Sequence, residues 1–100
     1  MEGEDMKTGT TSTGFAFKFD ERNADDMRMV ELIAISDDET ASEFQKLAAS
    51  SKILEMLLGK EQKAALYDHI GKSNDGRVPV GELMNALTEI MNAGGETLKN

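Results

Sequence analysis

A chain of 100 residues with a net charge of −8, no cysteine and 39% apolar residues suffices for one domain with a modest core. The acidic balance argues against nucleic acid and an anionic membrane surface, both of which call for clustered Lys and Arg, and the missing cysteine excludes disulfides and thiolate metal sites. No apolar run approaches the ~18 residues of a membrane span, and the acidic, polar start MEGEDMKTGT is not a signal peptide, so the expected location is the cytoplasm.

Residues 1–14 carry Thr, Ser, Gly and charge without periodicity and read as a disordered tail. FAFKFD, residues 15–20, alternates Phe15, Phe17 and Phe19 with polar or small residues, which puts three rings on one face of an extended segment. A lone strand leaves its backbone groups unpaired. It must lie on the helices, pair with another copy or add to a partner's sheet. The rings therefore either plug the core of their own domain or dock on a partner.

ERNADDMRMVELIAIS, residues 21–36, reads as a helix capped by Asn23 or Asp25, with Met27, Val30, Ile33 and Ala34 at helical spacing and Met29, Leu32 and Ile35 widening the apolar face. A second helix is expected from Thr40 to Leu58, with Asp37, Asp38 or Thr40 as its cap. Its expected stripe is Phe44, Leu47, Ala48, Ser51, Leu54, Leu57 and Leu58, and Gly59 fits the C-cap. KEQKAALYDHI, residues 60–70, gives a third helix with Ala65, Leu66 and Ile70 inward, ending at Gly71. VPVGELMNALTEIMNA gives a fourth, with Val80, Leu83, Met84, Leu87, Ile90 and Met91 in a 3.6-residue repeat. GGETLKN follows as a frayed end.

The expected fold is thus all-α: a small bundle of about four helices, preceded by a short extended Phe-rich segment and a disordered N-terminus. The expected boundaries are a tail over 1–14, a helical domain over 15–93 and a C-terminal tail over 94–100.

GKSNDGRVPVGEL, residues 71–83, invites comparison with a calcium loop. With Gly76 at the loop's glycine position, Asp75 and Glu82 occupy ligand positions, but Gly71 stands where the first carboxylate belongs and Ser73 at the third. Too few charged ligands are left for calcium. Asn74-Asp75-Gly76 reads instead as a turn, with Glu82 in the first turn of the last helix. A degenerate EF-hand-like regulatory module is the alternative function. His69, the one histidine, lies beside Asp68, and neighbours in helical sequence do not face each other. It is expected to be exposed. No serine stands in an activating context, GKS lacks the phosphate-loop frame, and no catalytic site, metal site or cofactor is expected.

The order of motifs resembles a known family. Phe17, Phe19 and Asp20, then Leu57-Leu58-Gly59 with Glu61-Gln62, then Asp75-Gly76-Arg77-Val78-Pro79-Val80 look like the tail assembly chaperones of long-tailed bacteriophages and prophages. The resemblance covers residues 15–92. It implies a mostly helical, non-enzymatic protein that coats the tape measure protein, helps recruit tail tube subunits and is absent from the finished virion. It also implies that two lengths are made by a ribosomal frameshift, and Leu98-Lys99-Asn100 can be encoded by a slippery A AAA AAC run. The expected partners are the tape measure and tail tube proteins, with self-association as a further possibility. Phe15, Phe17, Phe19, Met27 and Met29 are the expected partner-binding residues, because a Phe strand can dock on a partner and Met repacks against varied surfaces.

Overall fold

The extended Phe segment finds its partner within the chain. In the computed structural model, which describes residues 6–93, β1 (Met6–Thr10) pairs antiparallel with β2 (Ala16–Asp20), Met6 opposite Asp20 and Thr10 opposite Ala16. Residues 6–14, expected as part of a disordered tail, are instead a strand and its turn. The correction has a local cause. Thr11 N–H donates to the Phe15 carbonyl at 2.8 Å, Gly14 N–H donates to the Thr11 carbonyl at 2.9 Å, and Gly14 takes the positive φ of 101° that closes a three-residue hairpin loop. Residues 1–5 of the expected tail, and the frayed end expected over 94–100, lie outside the described residues.

The fold is therefore mostly helical with a small two-stranded sheet, and the purely all-α expectation is corrected to that extent. A 3-10 turn (Glu21–Ala24) leads into α1 (Met27–Asp37), α2 (Glu43–Leu58), α3 (Lys60–Lys72) and α4 (Val80–Ala93). Among the described residues no helix is long and apolar enough to cross a membrane.

Alternation aims Phe17 and Phe19 of β2, and Phe15 just before it, inward, and all three are buried. They join Leu54, Leu57 and Leu58 of α2, Leu66 and Ile70 of α3, and Leu87 and Ile90 of α4 in one core. Each buried side chain of this size contributes about 1.5–3 kcal/mol of apolar burial. Phe17 and Phe19 stack with centroids 6.3 Å apart. Gly9 makes room for them, because a Cβ there would lie 2.7 Å from the Phe17 ring. The free edge of β2 is closed by a side chain. Gln62 accepts from Lys18 N–H at 3.0 Å and donates to the Lys18 carbonyl at 2.6 Å, as a neighbouring strand would. The same amide donates to the Leu58 carbonyl at 2.9 Å, so one glutamine ties the sheet to the end of α2.

The helix starts fall later than the sequence suggested, because the side chains that can reach back decide them. Asp26, and neither Asn23 nor Asp25, caps α1: its carboxylate accepts from Arg28 N–H at 2.8 Å, and the Arg28 guanidinium folds onto it at 2.7 Å. Asp20 and Arg22 repeat the device at the 3-10 turn. Asn23 instead donates to the Leu57 carbonyl at 3.0 Å, across to the end of α2. Helix α2 starts at Glu43 through a reciprocal box between Ser42 and Gln45. Asp38, one of the expected caps, accepts from Thr40 N–H and its hydroxyl in the preceding connection. Gly59, at φ +88°, ends α2 as expected.

Helix α3 runs one residue past Gly71, and Ala65, expected inward, is exposed. Gly76 N–H then donates to the Gly71 carbonyl at 2.8 Å, with Asp75 and Gly76 both at positive φ. The Asn74 amide donates to the Ile70 carbonyl at 2.8 Å and to Glu82 at 3.1 Å. The stretch compared with a calcium loop is thus a helix-closing turn whose glutamate is held by asparagine. His69, expected to be exposed, is half-buried: its ring meets Phe15 at 5.6 Å and its Nε2 meets the Thr13 hydroxyl at 3.1 Å. The hairpin loop is tied to α4 as well. Ser12 donates through its N–H at 2.7 Å and its hydroxyl at 2.8 Å to the Glu89 carboxylate, which holds that group below the usual carboxylate range.

Candidate partner-binding groove

Helix α1 packs chiefly on α2 and on the 3-10 turn. Helix α4 packs on β1, α2 and α3. The two therefore flank α2 without closing over it. Between them lies an open groove of about 530 Å³. Val30 and Ile33 of α1 form one wall, Leu47, Ser50 and Ile53 of α2 the floor, and Val80, Met84, Leu87 and Met91 of α4 the other wall. Asp37, Glu43 and Lys46 stand among the lining residues at the α1–α2 end. Val30 and Val80 are each about half exposed, at 51% and 53%, so both walls present apolar surface to solvent.

The groove arises from an excess of apolar surface on both walls. The stripe on α4 is too broad for a single neighbour. Ala86, Leu87 and Ile90 are buried, while Met84 and Met91 remain half-buried along the groove. In α1 the side chain turned fully into the core is Met29, and Val30 and Ile33 face the opening. The far side of the α1–α2 hairpin carries a second, shallower depression lined by Leu32, Ile35, Ala41 and Ala48.

Charge gathers on the 3-10 turn, α1 and the connection into α2. Residues 21–46 hold eight acidic and three basic side chains, a net of −5, whereas residues 47–93 hold six acidic and five basic, a net of −1. Two of the three cations are occupied at helix starts: Arg22 by Asp20 and Arg28 by Asp26. The Arg28 side chain, and after it the Arg28 N–H, donates to Asp26 and holds its carboxyl down at about 2. Asp37 and Glu43 form no ion pair with another described residue.

The expected partner-binding residues divide sharply. Phe15, Phe17, Phe19 and Met29 are buried, with Met29 fully so, and in this fold they offer no surface to a partner. The physical reason is the hairpin: once β1 pairs with β2, the ring face has the helices to cover it. Met27 is exposed at 67%, but it lies outside the groove lining. The groove residues of α4 were legible as an apolar stripe. Their availability was not, because it depends on α1 standing away from α4. Phe44, expected on the inward stripe of α2, is 85% exposed and lies outside the groove lining. Compared with family models, curated proteins and solved structures, the chain matches none.

Proposed function

We propose that this protein is a non-enzymatic, cytoplasmic binding protein of the tail assembly chaperone kind, which holds the tape measure protein of a long-tailed phage in soluble form and helps recruit tail tube subunits, without entering the virion. The observation that carries the reading is the groove. Helices α1, α2 and α4 form three sides of a helical bundle, and an amphipathic helix of a partner supplies the fourth. A chaperone of an aggregation-prone helical protein needs an accessible apolar surface and strong charge elsewhere to stay soluble itself. This chain has both: Val30, Val80, Met84 and Met91 along the groove, and a net charge of −8. Methionine at two wall positions suits a surface that must fit varied helical segments.

The test is co-expression with the tape measure protein encoded nearby, followed by size exclusion. The expected outcome is a soluble complex with wild-type chain and loss of that complex with Met84→Glu. A tape measure protein that stays insoluble in the presence of well-folded wild-type chain overturns the reading.

A further inference from the structure

We infer that the groove selects a basic amphipathic helix, whose apolar face covers Ile33, Leu47 and Met84 and whose Lys or Arg side chains meet Asp37 and Glu43. This deepens the proposed function and rests on the groove being the partner surface. The lining on α4 runs from Val80 to Met91, about 17 Å at 1.5 Å per residue, which matches about three turns of an incoming helix. Any occupant that seats on the floor draws the lining carboxylates partly out of water, and a carboxylate without a donor is costly to desolvate. Among the described residues Asp37 and Glu43 form no ion pair, and Arg22 and Arg28 are committed to Asp20 and Asp26. Lys46 alone opposes them among the described lining residues. The surrounding stretch 21–46, with its net of −5, adds a field of the same sign. A second copy of the chain is a poor occupant for the same reason: it brings another −8 to an acidic rim. Complementary charge of this kind acts mainly on choice of partner and on association rate.

The test uses the full chain and two synthetic helical peptides of about 15 residues, each with the same leucine face. One carries Lys and Arg on its outer positions, the other Glu. Calorimetry at low and high salt is expected to show the basic peptide binding at least tenfold tighter at low salt, with the advantage shrinking as salt screens the rim. The double variant D37K/E43K is expected to reverse the preference. M84E is expected to abolish binding of either peptide, and Thr88→Glu on the same wall serves if M84E does not fold.

Equal affinity for the two peptides overturns the charge inference and leaves the groove reading standing. So does a tape measure complex that M84E disrupts while neither peptide binds wild type. A dimer that M84E dissolves overturns the inference in favour of a second copy. A tape measure complex indifferent to both M84E and T88E removes the groove reading itself.

Discussion

The two ends of α2 have similar letters and different surroundings. At its C-terminal end Leu54, Leu57 and Leu58 are enclosed by the Phe hairpin, α3 and α4. At its N-terminal end Phe44 is 85% exposed and Leu47 only half-buried, with α1 as the main neighbour. Periodicity marks both ends as apolar. Only the number of elements within reach separates a core from an open surface. The closed end holds the fold together, and the open end, whose carboxylates Asp37 and Glu43 form no ion pair among the described residues, is the one proposed above for binding.

That contrast can be broken by mutation. The largest effect is expected in the closed end. Phe19→Ala should cost about 3–5 kcal/mol in urea unfolding, since a buried ring is lost and the rigid body around it cannot collapse fully. A cost near zero would mean that the hairpin is not part of the core. Next, Gly9→Ala should cost about 1–3 kcal/mol, because its Cβ would lie 2.7 Å from the Phe17 ring and the ring must shift. Ser42→Ala should cost about 1 kcal/mol through loss of the reciprocal cap. Hydrogen exchange should place that loss in the first turn of α2 and leave the amides of Leu54–Leu58 protected.

A smaller effect is expected from pH. Glu89 is held below the usual carboxylate range by the Ser12 N–H and then by its hydroxyl. The depressed value means that this contact contributes fully above the ordinary glutamate range and is lost as pH falls through the lowered one. An NMR titration should find the Glu89 midpoint below that of an exposed glutamate. Ser12→Ala, which keeps the backbone donor, should move it only partway back. The smallest effect belongs to the open end: Phe44→Ala should change stability by no more than about 0.5 kcal/mol, as for other exposed positions. A cost comparable to that of Phe19→Ala would erase the distinction between the two ends of α2.

Much of the closed end was legible in advance. The 3.6-residue rhythm of α4, the glycine stop at Gly59 and the alternation of the Phe rings are local signals, and local geometry honours them. The first strand was missed because Met6–Thr10 has no apolar alternation of its own. It is ordered by pairing with a strand that does. A Gly after Thr-Ser-Thr was the one turn signal available, and Gly14 does take the positive φ it allows. The cap of α1 was missed by one residue because a run of Asn, Asp and Asp offers several acceptors. Arg28, two residues after Asp26, is what selects among them.

By itself the sequence determined the number of helices, the inward side of the Phe segment and the acidic character of residues 21–46, since each depends on neighbours within a few residues. The tertiary structure alone decided which apolar side chains are spent on the core and which are left over. Phe15, Phe17, Phe19 and Met29 are enclosed because several elements converge on them. Val30, Val80 and Met84 line an opening because α1 and α4 both lean on α2 without packing closely on each other. Burial depends on how many elements converge at a point in space, and periodicity along one helix carries no count of them.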